Sequence, residues 1–228
     1  GSTDMSPSAP LWQACSWAAS GSGLMLISLF ITYLILLSTA VSQKRQLARV
    51  ISAFGHTPTD ILVKGWSEQN FKLLQDWLVS LTPMLARLVE HHHTFPMLHF
   101  FHTADRDAAV GPSIAVLNDA ILLLSDAVIH QVRPSQLALD PPRAVIATLL
   151  STIPEPYLRT AAKPPPEPHL GALHHHGIPH LPPAEINAAF AAAADQRHRL
   201  LSLVQHEGWT WQATIADEAP QSEAADAS

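Results

Sequence analysis

Histidines are the residues in this sequence whose type and spacing most directly suggest chemistry. The stretch "EHHHTFPMLHFFH" holds His91, His92 and His93 in succession, and "HLGALHHHGIPH" holds a second cluster. Imidazole binds zinc, copper and nickel, and it titrates near neutral pH. Consecutive residues of a helix point in different directions, and the chain has one cysteine and no His-Glu-x-x-His motif. We therefore predict no dedicated metal centre and no cofactor. Three interpretations of the histidines remain open: they are structural or solvated, they form a weak or adventitious metal site, or they form a proton-sensing cluster.

The remaining polar motifs give little indication of catalysis. In "HTADRD", Asp105 and Asp107 flank Arg106, a pattern more typical of a solvated turn and helix start than of an acid-base pair. The sequence has neither a glycine-rich phosphate loop nor a nucleophile-elbow motif. A net charge of -6 in 228 residues gives no electrostatic reason to expect nucleic acid as a partner. The sequence thus predicts a protein that is not an enzyme.

The N-terminal part of the chain contains a segment long enough to cross a bilayer. No residue between Asp4 and Lys44 is charged, and residues 23–41 also lack Pro, Asn and Gln. At about 1.5 Å per residue this run spans about 30 Å, the thickness of a hydrocarbon core. Lys44, Arg45 and Arg49 follow the span directly, so the C-terminal side is expected to be cytoplasmic. Membrane lipid is therefore a predicted partner.

Small and hydroxylated residues form a stripe along this helix. Gly21, Ser28, Thr32 and Thr39 are spaced seven, four and seven apart, which places them on one side. Such a stripe suits close helix packing or the wall of a water-filled path. The alternative is that the hydroxyls bond only to the preceding turn of their own helix. Gly21 and Gly23 are candidate hinge residues, or they mark a loose start of the helix.

The stretch "GSTDMSPSAPLW", followed by this apolar helix, resembles the end of the pore loop and the inner helix of two-transmembrane potassium channels. "SGLMLISLFITYLI" is similar to the inner helix of bacterial proteins assigned to the two-pore-domain-like ion channel family. Two later stretches resemble the cytoplasmic extension of that group: "HHHTFPMLHFFHTADRDAAVGPSIAVLNDAILLL" and "RHRLLSLVQHEGWTWQATI".

The resemblance implies an ion pathway. Gly1, Ser2, Thr3 and Asp4 would occupy the filter end, and Ser28 and Thr32 would line the path below it. Ser2 and Thr3 stand where the family has an aromatic residue and a second glycine, which puts strict potassium selectivity in doubt. An outer helix and a pore helix would then precede Gly1. The implied assembly is a homo-oligomer forming a tetrameric pore for potassium or another monovalent cation.

The rest of the chain reads as helical, so the predicted fold class is all-α, one transmembrane helix followed by a cytoplasmic helical domain. Leucines spaced four and three apart predict one helix after Ser67, which is a plausible N-cap. A second helix is predicted around Leu117 and Ile121, with Pro112 in its first turn, and a third at "PPRAVIATLLSTI". The leucine series is Leu74, Leu78, Leu81, Leu85 and Leu88.

These patterns divide the chain into six regions. Residues 1–10 are the predicted end of a pore loop, 11–43 the transmembrane inner helix and 44–163 the cytoplasmic helical domain. Residues 164–182 are a predicted Pro/His-rich linker, 183–212 a single C-terminal helix and 213–228 a disordered acidic tail.

Two functions of different class remain open from the sequence. The first is a cation channel subunit, with potassium as the expected ion, in the bacterial inner membrane. The second is a single-span, membrane-anchored helical module that binds a partner or senses a signal without conducting ions.

Overall fold

The computed structural model describes residues 10–153 and 165–215, and the chain divides into two compact units, Gly1–Val41 and Ser42–Ser228. The described elements are helical, which confirms the all-α prediction, and only isolated bridges join extended residues there. The helices are α1 (Pro10–Phe54), α2 (Pro58–Gly65), α3 (Lys72–Thr94), α4 (Val110–Leu122), α5 (Gln136–Thr152), α6 (Gly171–His175), α7 (Pro183–Ala192), α8 (Ala194–His206) and α9 (Gln212–Ile215). Short 3-10 turns cover Pro96–Phe100 and Arg106–Ala108, and a π-helical turn covers Leu123–Ala127.

The described residues of the N-terminal unit, 10–41, form the apolar part of α1. Its large apolar side chains, from Leu11 to Leu36, are exposed along most of the segment. An 18-residue window of this helix has a mean hydropathy of 2.4, in the range of a membrane span. The stretch Val110–Ala127 is also long and apolar enough by the same measure, but it is almost entirely buried among other helices. Among the described residues, α1 is therefore the candidate transmembrane helix.

The C-terminal unit is a bundle built around α4. Every residue of α4 is buried, and α4 lies against α2, α5, α8 and α9. α3 packs along α5 and buries all five leucines of the predicted stripe, which confirms that helix. Pro112 lies in the first turn of α4, where a missing N–H costs nothing. Apolar periodicity thus identified α3 and α4, two of the helices that form the core.

The start of α3 differs from the sequence prediction. The helix begins at Lys72 rather than after Ser67, and its N-cap position is Phe71. Ser67 instead pairs with Asn70 across a tight turn, through backbone hydrogen bonds of 3.1 and 2.9 Å. Glu68 and Gln69, the two residues inside this turn, have positive φ angles that a helix does not allow.

The C-terminal third also departs from the predicted layout. The predicted C-terminal helix over 183–212 is not continuous: α7 and α8 are separated at Ala193, α8 ends at His206, and Gln212 already belongs to α9. The Pro/His-rich region contains α6, and it packs into the bundle through the buried side chains of Leu173 and Ile178. Its backbone is also held to the π-helical turn, since the Leu181 N–H donates to the Ala127 carbonyl at 2.7 Å. Of the predicted tail, residues 213–215 belong to α9 and the rest lies outside the described residues.

Candidate functional site

The predicted pathway residues Ser28 and Thr32 lie one turn apart on exposed α1. The Thr32 hydroxyl donates to the Ser28 carbonyl at 2.9 Å, and the Thr39 hydroxyl donates to the Ile35 carbonyl at 2.9 Å. These bonds use the hydroxyl protons within the helix, as the bonding alternative predicts. Each hydroxyl oxygen keeps lone pairs that can accept from water or coordinate a cation. The stripe therefore presents acceptor oxygens on a helix that is otherwise apolar.

The candidate hinge residues Gly21 and Gly23 lie inside α1, which continues as α-helix through both positions. A methyl group placed on either glycine would meet no atom within 4 Å. Close packing within the described chain therefore does not require glycine at these two positions. Gly1, Ser2, Thr3 and Asp4, the predicted filter end, lie outside the described residues.

A buried ion pair lies within the C-terminal unit. Lys44, the first charged residue after the apolar run, donates from Nζ to Glu207 Oε1 at 2.8 Å. Both side chains are only 6% exposed. The Lys44 ammonium also donates to the Phe101 carbonyl at 3.3 Å. Burying each charge costs desolvation free energy, and this cost is offset only when the two groups keep their hydrogen-bond partners.

Gly111 allows the second carboxylate oxygen of Glu207 to approach the backbone of α4. The Gly111 N–H donates to Glu207 Oε2 at 2.6 Å, so both carboxylate oxygens are satisfied. A Cβ atom at position 111 would lie 2.9 Å from the same oxygen. Gly111 is in the first turn of α4, where backbone N–H groups are otherwise unpaired and favour negative charge. The carboxylate thus links the end of α8 to the start of α4.

Histidines surround this ion pair. The rings of His92 and His99 lie 4.9 Å apart between centroids, and those of His102 and His206 lie 5.3 Å apart. His92 Nδ1–H donates to the Leu88 carbonyl at 2.8 Å, and His102 Nε2–H donates to the His99 carbonyl at 2.8 Å. We call His92, His99, His102 and His206, with Lys44 and Glu207, the histidine cluster.

Burial lowers the pKa of His92, His99 and His206. It is the main reason that the pKa of His92 falls from 6.5 to about 4, and the Lys44 charge lowers that pKa further against the opposing bond to the Leu88 carbonyl. Burial, then Lys44, lower the pKa of His99. Burial, then His102, lower the pKa of His206, while Glu207 raises it. His92, the most strongly shifted of the three, is therefore neutral at physiological pH, and acid must place positive charge beside Lys44.

The structure thus brings together only part of the first histidine-rich stretch. His92 and His99 belong to the cluster, whereas His93 is exposed and lies 3.3 Å from the Thr152 hydroxyl. His174 and His180 of the second stretch approach one another at 6.4 Å. Within residues 10–153 and 165–215, no three His, Cys, Asp or Glu side chains are arranged to hold a metal ion. The arrangement places titratable imidazoles beside a buried ion pair.

A second buried ion pair fixes α8 on α4. Arg197 binds Asp119 through two of its nitrogens, with the Nη2–Oδ2 distance at 2.9 Å. The same guanidinium donates to the Pro165 and Pro166 carbonyls, at 3.1 and 2.7 Å. It also lies 4.7 Å from the ring centroid of Phe190. All these contacts are internal, so this pair is part of the framework that holds the histidine cluster.

Sequence analysis singled out the stretch that contains His92, His99 and His102, but it missed their partners. Lys44 was identified only as a flanking charge, and neither Glu207 nor Gly111 was singled out. One signal was present, since "HEG" ends a helix with a carboxylate and "VGPS" begins another with a small residue. The pairing of these two helix ends depends on the tertiary fold, which a single sequence does not display.

The chain combines a long helix with exposed apolar side chains and a helical unit with its own buried core, and these features define an all-α membrane protein. The chain is 30% identical over 211 residues to the uncharacterized membrane protein YdjJ of Bacillus subtilis (strain 168). The match covers 92% of this chain and 62% of that relative, so the chain spans less than two thirds of the relative's length. No protein-family model matches the chain, and no solved structure matches it. The similarity to a membrane protein supports the assignment of α1 as a transmembrane helix.

Proposed function

We propose that this chain is part of a cation channel subunit, with potassium as the ion, in the bacterial plasma membrane. The membrane portion of α1 lines the pore, and the C-terminal helices assemble or regulate it. Four copies around one axis give a closed ring in which every subunit presents the same helix face to the path. The resemblance of residues 1–12 to a filter end and outer turn supports the same function.

The observation that carries the proposal is the hydroxyl stripe on α1. Ser28 and Thr32 expose oxygen atoms on a helix surrounded by large apolar side chains. Repeated by symmetry, these oxygens replace part of the hydration shell of a passing cation. The other faces of the helix are apolar enough to contact lipid or neighbouring helices.

The charges beside the span support a cytoplasmic C-terminal part. Arg45 and Arg49 follow Lys44 within one turn and a half of α1, and both are exposed. Positive residues next to a span favour the cytoplasmic side. The C-terminal bundle is therefore proposed to face the cytosol.

The test is ion flux through the protein made from its complete reading frame and reconstituted in liposomes. Potassium flux is expected, and Ser28→Ala and Thr32→Val should reduce it because they remove acceptor oxygens from the stripe. Ser22→Ala is the matched control, since Ser22 lies about 100° around the helix from Gly21 and also bonds within its own turn. Absence of potassium and sodium flux would reject the channel function, and equal loss in all three variants would reject the stripe as its lining.

The histidine cluster favours a second candidate, a membrane-anchored module that senses acid without conducting. Its buried imidazoles stand beside the first charge after the span, where protonation acts directly on the Lys44–Glu207 pair. This candidate predicts a pH-dependent change in the C-terminal unit and no flux of either ion. The liposome measurement therefore separates the two functions.

A further inference from the structure

We propose that a cleft between α1 and α3, inside the C-terminal unit, binds a phosphate group. The side chains around the cleft all belong to that unit. They include Gln43, Lys44 and Gln46 of α1 and Arg87, Leu88 and His91 of α3. This inference concerns a binding site and not ion conduction, so it goes beyond the proposed channel function and can fail independently of it.

The cleft follows one face of each helix. Gln43 and Gln46 are three residues apart on α1, which places them on one side of that helix. Arg87 and His91 are four residues apart on α3, and the buried side chain of Leu88 lines the cleft with them. Burial, then the charge of Arg87, lower the pKa of His91, so the guanidinium lies near the imidazole. Polar side chains from two helices therefore converge on one small space.

Two buried polar atoms of these side chains make no hydrogen bond with any residue that the structure describes. They are Oε1 of Gln43 and Nδ1 of His91. A buried polar atom without a partner keeps the full cost of its desolvation, so such atoms are rare in folded proteins. The cleft encloses about 20 Å³, which is room for about one water-sized atom. One polar atom of a ligand is therefore the right size to serve both groups.

Both groups can act as donors to that atom. No hydrogen bond within residues 10–153 and 165–215 fixes the Gln43 amide, so a half-turn brings its NH2 group to the position of Oε1. A neutral imidazole carries its proton on either nitrogen, so His91 Nδ1 donates in one of the two tautomers. Two N–H donors that meet in a small space favour an oxygen atom as the acceptor.

The charge around the cleft favours an anion. Arg87 is exposed and forms no ion pair in the described part of the chain. Lys44 is neutralised by Glu207, whose second oxygen is bonded to Gly111. A guanidinium binds two oxygens of one phosphate through its planar fork. A tetrahedral phosphate can place one oxygen inside the cleft and offer two others to Arg87 at the rim, whereas a cation there would be repelled.

The test is titration of the full chain, purified in a neutral detergent at constant pH, with inorganic phosphate. Binding is followed by nitrogen NMR of the histidine side chains. The His91 Nδ1 resonance is expected to shift in a saturable way, because that atom bonds to the ligand. His93, which is exposed and does not line the cleft, should keep its resonance position. Absence of a His91 shift at millimolar phosphate would overturn the proposal.

Three variants test which side chains hold the phosphate. Arg87→Gln and Gln43→Leu should each weaken binding by about tenfold or more, the usual effect of losing a bond to a charged group. Arg45→Gln is the matched control, since it removes the same charge from an exposed arginine outside the cleft. It should change the affinity by less than about threefold, as expected for a screened surface charge. Equal weakening by Arg45→Gln and Arg87→Gln would show nonspecific attraction and would overturn the site.

A second ligand distinguishes the sources of the phosphate group. Dioctanoyl phosphatidic acid, a water-soluble lipid, carries the same group on two short acyl chains. Tighter binding of this lipid than of inorganic phosphate would support the site with a lipid headgroup as its ligand. Equal or weaker binding would support it with a free phosphate compound. Binding of the lipid with no shift of His91 would place the lipid elsewhere and count against the cleft.

Discussion

Glu207 holds Lys44 through one carboxylate oxygen and the Gly111 N–H through the other, at 2.8 and 2.6 Å. One side chain at the end of α8 therefore joins Lys44 to the start of α4, within the C-terminal unit. The pair lies in the cluster of histidines, so its charge balance depends on their protonation. These contacts give the first three of the following predictions.

Glu207→Gln is expected to destabilise the protein by about 3 kcal/mol or more, because it leaves the Lys44 ammonium buried without a counter-charge. The double variant Lys44→Met, Glu207→Gln should be destabilised by less than the sum of the single variants. The measurement is denaturant unfolding of the purified protein in detergent, followed by tryptophan fluorescence.

The control for this prediction is the surface pair Lys72–Asp76, whose side chains are 76% and 62% exposed and 3.7 Å apart. Asp76→Asn should change the free energy of unfolding by less than about 1 kcal/mol. Equal effects at positions 76 and 207 would contradict a special role for the buried pair.

Gly111→Ala is expected to destabilise the protein although alanine favours helix. Its Cβ would lie 2.9 Å from Glu207 Oε2, so the carboxylate must move and its bond to the backbone must lengthen. We expect a loss of about 1–3 kcal/mol, measured by the same unfolding experiment. Gly171→Ala, at the start of α6, is the matched control, because a Cβ there meets no atom within 4 Å. A neutral Gly111→Ala variant would show that the carboxylate contact is dispensable.

Acidification is expected to destabilise the C-terminal unit between pH 6.5 and pH 4. The pKa of His92 is about 4 in the folded protein and 6.5 when unfolded, so over this range the unfolded chain binds more protons. At about 1.4 kcal/mol per pH unit, His92 alone removes about 3 kcal/mol by pH 4. The lowered pKa values of His99 and His206 act in the same direction.

The free energy of unfolding measured across this pH range tests the assignment to His92. His92→Gln should flatten the dependence, while His130→Gln, on an exposed loop, should leave it unchanged. A pH dependence that survives His92→Gln at full slope would assign the effect to other groups.

Arg197→Lys is expected to destabilise the protein despite keeping the charge. A lysine ammonium cannot reproduce the two-nitrogen contact with Asp119 and the bonds to the Pro165 and Pro166 carbonyls at once. We expect a loss of about 2–4 kcal/mol in unfolding free energy. Arg199→Lys, two residues away and exposed, is the control and should be nearly neutral. An Arg197→Lys variant as stable as this control would show that the planar guanidinium is not required.

Patterns local in sequence predicted the helices well. The alternation of four and three between Leu74 and Leu88 identified the buried face of α3, because that face is set by helical periodicity alone. Pro112 marked the start of α4 for an equally local reason. The apolar run of α1 was read from length and composition, which suffice for a helix surrounded by lipid.

Features that depend on distant partners were not predictable. No glycine or proline ends a helix in the alanine-rich segment around Ala193, yet α7 packs against the π-helical turn while α8 packs against α4. The helix is interrupted at Ala193, and the segments on either side of it have different neighbours. Ser67 was misplaced as an N-cap because its bonds to Asn70 compete with helix start. The histidine cluster likewise combines residues from four separate segments.

The buried stretch Val110–Ala127 has a mean hydropathy of 1.3, which also makes it a candidate for insertion into the membrane during synthesis. A carboxylate at the centre of a span opposes insertion by about 2.5–3.5 kcal/mol, and Asp119 occupies that position. Asp119, which binds Arg197 in the folded bundle, is therefore expected to disfavour insertion of this stretch into the membrane. Asp119→Leu should produce molecules with two spans, whose last hundred residues are delivered to the opposite side of the membrane.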